Sequence, residues 1–149
     1  MDMLRLTISP DDDGTCELHA EVVANGFTGR GSAWFDRIQL GEFASKLEQF
    51  PLPQEPRTEI QGGFWSKELK DKLEQCHLSI SAYPIDSRGN LGVQVCVSTP
   101  TWEQDRPESR HSAQVELITT YTRMSAFAGQ LARLALLQTS EAILESERA

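Results

Sequence analysis

The chain has 149 residues, of which 39% are hydrophobic and 24% are charged, and its formal net charge is −8 at pH 7. This length suits one domain spanning 1–149 with a hydrophobic core, and the composition is that of a globular protein rather than a disordered chain. The acidic balance argues against nucleic acid and anionic membranes as direct partners, because both are bound through faces rich in lysine and arginine.

The first fifty residues contain the signals of three strands and a helix. Alternating apolar residues predict strands at 4–8 and 16–22, and the Asp-Gly step that ends 10–14 predicts the hairpin turn between them. A third strand, rich in aromatic residues, is expected at 32–36. Apolar residues at steps of three and four then predict an amphipathic helix over 40–50, which the prolines that follow would end.

The rest of the chain alternates between strand and loop signals before a last helix. Apolar alternation predicts four more strands, at 58–65, 78–82, 91–97 and 113–117. Gly62-Gly63 would permit a bulge in the first of these, and a long polar loop is expected at 99–111. The last helix carries its apolar stripe from Met124 to Ala135 and is expected to extend to near Glu145.

The two helix segments have matching apolar stripes, 40–47 in the first and 124–131 in the second. This match predicts two β-β-β-α units at 3–50 and 57–138, with extra residues in the 99–111 loop of the second. The alternative is that both segments are independent examples of a favourable amphipathic pattern. The expected fold class is α+β, with a mainly antiparallel sheet of six or seven strands and two amphipathic helices.

Two Cys–His pairs resemble fragments of a metal site, namely Cys16-x-x-His19 and Cys76-His77. Residues an odd number of positions apart in a strand face opposite sides of the sheet, so neither pair is expected to chelate a metal. Both cysteines share the parity of apolar neighbours and are predicted to be buried. Together with Cys96 they are expected to be free thiols, which suits a reducing cytoplasm.

No other segment carries a recognisable catalytic or cofactor motif. The contiguous acids of 11–13 lack the alternate spacing of a calcium loop, and the glycine-rich segment 26–31 precedes a strand instead of the helix that a phosphate site requires. No nucleophile elbow is present, and the three histidines have no evident acid partners. We therefore expect no enzymatic activity, no metal and no cofactor.

Two groups of residues are the candidates for binding a partner protein. The first fifty residues contain nine acidic and four basic residues. The long loop holds a tryptophan among acids, and tryptophan is enriched at interfaces, although it could instead fold back over the core. The predicted partner-binding residues are Asp11, Asp12, Asp13, Asp36 and Glu42 in the first group, and Trp102, Glu103 and Asp105 in the second.

The order of elements over 4–137 resembles that of WapI-type bacterial immunity proteins, which belong to polymorphic toxin systems. The resemblance is carried by the hairpin, the Asn25-Gly26-Phe27 turn, the aromatic strand, the Leu-x-x-Phe-x-x-x-Leu helix, a Leu-x-Ile strand and a valine-rich strand. It implies a cytoplasmic, non-enzymatic inhibitor of a cognate toxin protein. The acidity is compatible with a basic nuclease domain as that toxin.

An acidic secretion chaperone that binds an effector protein is the alternative function. Such chaperones are similar to this chain in size, acidity and mixed α/β content. They usually begin with a helix, whereas this chain begins with strands. The first residues also lack the basic start and apolar centre of a secretory signal, and no apolar stretch is long enough to span a bilayer, so a cytoplasmic location is expected on either hypothesis.

Overall fold

Eight strands and two α-helices make up most of residues 2–146, the part of the chain that the computed structural model describes. In chain order they are β1 (Met3–Pro10), β2 (Thr15–Ala24), β3 (Phe27–Asp36), α1 (Arg37–Leu47), β4 (Thr58–Trp65), β5 (Leu73–Pro84), β6 (Asn90–Ser98), β7 (Ser112–Thr120), α2 (Tyr121–Ala135) and β8 (Ala142–Glu145). The strands form two antiparallel sheets of four, ordered β3-β2-β1-β8 and β4-β5-β6-β7. The α+β class is confirmed, and the described strands number eight in two sheets where the sequence predicted six or seven in one.

The predicted extension of the last helix to near Glu145 is wrong. The helix ends at Ala135 because Leu137 adopts a left-handed backbone conformation with φ 61°. The amide of Leu137 donates to the carbonyl of Leu134 at 3.0 Å, and the amide of Gln138 donates to that of Arg133 at 2.9 Å, which together close the helix end. The chain then turns back, and β8 pairs with the start of β1.

The order strand, strand, strand, helix, strand occurs twice along the chain. In each case the strand after the helix joins the sheet of the other half, since β4 pairs with β5 and β8 pairs with β1. The helices pack antiparallel, with the Arg37 guanidinium donating to the Ala135 carbonyl at 3.2 Å at one end and the rings of Phe50 and Tyr121 4.8 Å apart at the other. The division into duplicated units at 3–50 and 57–138 stays a prediction.

Each helix buries its predicted apolar stripe in the common core, apart from one residue. The buried side chains of α1 are Leu40, Phe43, Ala44 and Leu47, and those of α2 include Met124, Phe127, Leu131 and Leu134. Phe50, the last apolar residue of the helix predicted over 40–50, is instead 79% exposed, because α1 ends at Leu47.

Strand β3 lies at the edge of its own sheet and contacts all four strands of the other. Its inward-facing residues are small where the sheets meet most closely. A Cβ atom at Gly29 would lie 2.7 Å from the Cβ of Ala113, and one at Gly31 would lie 2.9 Å from the Cβ of Val97. Neither position can hold a side chain without moving its neighbour, so the glycine-rich segment serves close packing between the sheets.

We therefore predict opposite effects for two glycine-to-alanine substitutions. Gly31→Ala should destabilise the protein by about 1–3 kcal/mol, because the added methyl group overlaps Val97 in a packed core. Gly41→Ala is the matched control: Gly41 lies within α1, an added Cβ there would meet no side chain or distant backbone atom within 4 Å, and alanine should stabilise the protein by up to about 1 kcal/mol. Urea unfolding measures both, and a Gly31→Ala protein as stable as the wild type would contradict the close approach.

Candidate partner-binding site

A bulge near the end of β4 brings two aromatic residues to the surface of the second sheet. The register between β4 and β5 shifts between Gly62 and Gly63, as the glycine pair predicted. A Cβ atom at Gly63 would lie only 1.9 Å from the carbonyl oxygen of Gln75, so the bulge requires glycine there. Phe64 and Trp65 follow directly.

The side chain of Phe64 in β4 contacts the loop between β6 and β7. Its ring meets the buried ring of His77 edge-on, with the two ring centroids 4.5 Å apart. The ring centroids of Phe64 and Trp102 lie 5.0 Å apart. Trp102 remains 64% exposed and Trp65 42% exposed. Trp102 therefore rests on Phe64 without folding into the core, and much of its indole surface faces solvent.

Hydrogen bonds fix the loop that carries Trp102. The side-chain amide of Gln75 donates to the carbonyl of Thr101 at 2.8 Å and accepts from its amide at 3.1 Å, while its oxygen also lies 3.0 Å from Nε2 of His77. Within the loop, the Asp105 carboxylate accepts the amide of Trp102 at 2.8 Å, and the Asp105 amide donates to the carbonyl of Trp102 at 2.9 Å. The backbone on both sides of the indole is thus held before any partner arrives.

Between the end of β4 and the loop lies an open hollow of about 610 Å³, here called the aromatic groove. The hydroxyl of Ser66 accepts the amides of Glu68 at 3.3 Å and Leu69 at 3.1 Å, which shapes the turn at its margin. The groove is lined by Gly63, Phe64, Trp65, Ser66, Lys67, Glu68, Glu74 and Trp102. Its volume falls within the range of about 300–1,000 Å³ typical of ligand sites.

A second hollow, of about 410 Å³, lies on the outer face of the first sheet but is less suited to recognition. Its charged groups pair with protein neighbours: Arg30 lies 2.5 Å from Glu21, and Arg5 lies 2.5 Å from Glu141. Exposed ion pairs of this kind contribute little energy and leave few unpaired charges for a partner. The aromatic groove is therefore the better candidate site.

Four of the predicted acidic residues lie at one end of the first sheet. Asp11, Asp12 and Asp13 form the exposed β1–β2 turn, and the start of α1 joins this turn because the amide of Arg37 donates to the carbonyl of Gly14 at 3.1 Å. Asp36 immediately precedes α1 and is also exposed. We call these four aspartates the acidic turn.

Two aspartates of the acidic turn have local structural roles that were not predicted from the sequence. The Asp13 carboxylate accepts the hydroxyl of Thr15 at 2.6 Å and its amide at 3.1 Å, and the hydroxyl bond is the main cause of the lowered pKa of Asp13. Asp36 accepts the amide of Ile38 at 2.9 Å and caps α1. Asp12 and Glu42 are exposed and are better placed to meet a partner.

In the loop, the three predicted residues also have different roles. Trp102 forms a wall of the groove, Glu103 is exposed beside it, and Asp105 holds the turn through the backbone of Trp102. Phe64, Trp65 and the clamp from the side chain of Gln75 were not predicted from the sequence. The aromatic pair directly after Gly62-Gly63 was the available signal, because a bulge re-aims the side chains that follow it.

The cysteine and histidine pairs do not combine into a metal site. Cys16 is buried, whereas His19 faces the opposite side, where its Nε2 lies 3.0 Å from the hydroxyl of Ser9. Cys76 was predicted to be buried but is only partly so, and its neighbour His77 is the buried one, since the bulge disturbs the alternation. Within residues 2–146, no group of three or more His, Cys, Asp or Glu side chains is arranged to hold a metal ion.

Comparison with family models, curated proteins and solved structures finds no match to this chain. Among the described residues, no helix is long and apolar enough to cross a membrane.

The buried His77 predicts a dependence of stability on pH. Burial, with a smaller contribution from the positive charge of Arg110, lowers the pKa of His77 below its ordinary value of 6.5. As pH falls, His77 therefore takes up a proton in the unfolded chain before it does so in the folded protein. Because of this difference, the free energy of unfolding is unaffected by His77 above about pH 6.5 and decreases as pH falls below that value. Thermal unfolding from about pH 7.5 to about pH 5 should show a larger loss for the wild type than for His77→Gln. Equal losses would contradict the prediction.

Proposed function

We propose that this protein is a bacterial immunity protein that binds and neutralises a cognate toxin domain without catalysing a reaction. The observation that carries the proposal is Trp102, whose side chain is 64% exposed although hydrogen bonds fix its loop. Tryptophan is among the residues that most often dominate binding energy at protein interfaces. The resemblance of the sequence pattern to WapI-type immunity proteins supports a toxin as the partner.

The fixed loop favours binding of a folded protein surface. Ordering a free side chain at an interface costs about 0.5–1.5 kcal/mol, and ordering a loop costs more. The clamp from Gln75 to Thr101 and the ring contact between Phe64 and Trp102 reduce that cost, because these groups are already in position. A partner can then use the energy of burying the indole for affinity.

The charge distribution supports a cationic partner, such as a basic nuclease domain in the cytoplasm of the producing cell. The chain carries a formal charge of −8. The exposed carboxylates of Asp12, Glu42 and Glu103 are available to attract a basic surface from a distance, whereas Asp13 and Asp36 also serve the local fold. Complementary charge of this kind accelerates encounter more than it tightens the final complex.

Co-expression with the C-terminal domain of the protein encoded beside this one tests the proposal. That domain should be toxic alone and harmless when this protein is present in excess. A domain that is harmless alone, or that stays lethal despite a stable complex, would contradict the immunity hypothesis. Binding of an extended, non-toxic effector segment would instead favour the secretion chaperone.

A pair of tryptophan variants tests the location of the interface. Trp102→Ala should weaken the complex by about 2 kcal/mol, or roughly thirtyfold, mainly through faster dissociation. Trp34→Ala is the matched control, because Trp34 is 54% exposed on β3 and does not line the groove. Surface plasmon resonance gives both rate constants. Equal effects of the two substitutions would place the interface elsewhere.

Substitution of the exposed acids tests the role of charge in association. The triple change Asp12→Asn, Glu42→Gln and Glu103→Gln should slow association and reduce its dependence on salt, with little change in dissociation, because screening limits such fields to about 8 Å at physiological ionic strength. Stopped-flow mixing over a range of salt concentrations measures this effect. An association rate that is the same for wild type and variant at low salt would contradict it.

A further inference from the structure

The aromatic groove combines ring faces with an excess of negative charge. Its lining includes the carboxylates of Glu68 and Glu74 and only one cation, Lys67. The faces of aromatic rings carry partial negative charge, which attracts cations placed above them. Phe64 supports one side of Trp102, and the indole is 64% exposed beyond that contact.

We infer that the groove binds an arginine side chain of the partner, with the guanidinium stacked on Trp102 and paired with the carboxylates of Glu68 and Glu74. This inference rests on the proposed function, since it names the group on a cationic partner that the groove recognises. Charge complementarity supports arginine binding, because two carboxylates and two exposed indoles surround a hollow that is open to solvent.

Arginine fits this lining better than lysine does. The guanidinium is planar, so it stacks on an indole, and it is more weakly hydrated than an ammonium group, so it loses less on leaving water. Two of its N–H groups can also donate to the two oxygens of one carboxylate in a bidentate pair. A proline-rich segment would use the aromatic rings but would leave Glu68 and Glu74 without partners.

Three short peptides separate these chemistries: Ac-Gly-Arg-Gly-Arg-Gly-NH2 and its counterparts with lysine or citrulline in place of arginine. Lysine keeps the positive charge but lacks the planar group, and citrulline keeps a planar group but lacks the charge. Binding is followed by the indole NMR signals of the protein at physiological ionic strength. The arginine peptide should bind at least about fivefold tighter than either counterpart. It should shift the signals of Trp65 and Trp102 but not that of Trp34.

Variants of the groove test the same inference without relying on one substitution. Trp102→Ala and the pair Glu68→Gln, Glu74→Gln should each weaken the arginine peptide at least about fivefold. Lys67→Gln should strengthen it, because the change removes the like charge from the lining. Asp12→Asn, in the acidic turn, is the control for nonspecific attraction and should bind as the wild type does.

Equal binding of the three peptides, or an arginine peptide that binds Trp102→Ala as tightly as wild type, would overturn the inference. So would stronger binding by a proline-rich peptide without arginine. These results would leave the proposed function intact if toxin binding still depended on Trp102. Conversely, arginine binding by a protein that fails to neutralise the toxin would refute the immunity function and retain the chemistry of the groove.

Discussion

The close approach of β3 to the second sheet holds the two sheets together. Four strands pack against one edge strand only because Gly29 and Gly31 present no side chains where Ala113 and Val97 lie. This contact joins the two sheets into one core, with the helices beside it. Strand β3 contacts β4, β5 and β6, and the ends of these strands hold the bulge and the loop that form the aromatic groove.

Local features of the fold could be predicted from the sequence because they depend on neighbouring residues. The β1–β2 turn, the β4 bulge at Gly62-Gly63 and the buried stripes of the helices all follow from such signals. The end of α2 could not, because a leucine, Leu137, occupies the left-handed position that glycine usually marks. The pairing of β8 with β1 could not either, since these strands come from opposite ends of the chain and leave no local pattern of their pairing.

The candidate site was predictable only in part for the same reason. A tryptophan among acids in a long loop identified Trp102 from composition alone. Its surroundings depend on contacts across the sheet, namely the ring of Phe64 and the side-chain amide of Gln75, which bonds to the backbone of Thr101. The acidic residues were treated as one group, whereas Asp13 and Asp36 bond within the fold. Charge counted along a sequence does not separate these roles.

We propose that a partner binds at the aromatic groove while the acidic turn attracts it from a distance. Amide hydrogen exchange of the protein, alone and with the C-terminal domain encoded beside it, tests this division of roles. We predict slower exchange in the partner-bound state over 63–68 and 99–105, which include most of the groove lining and the Trp102 loop. Protection confined to 11–14 and 36–42, with exchange at the groove unchanged, would contradict it.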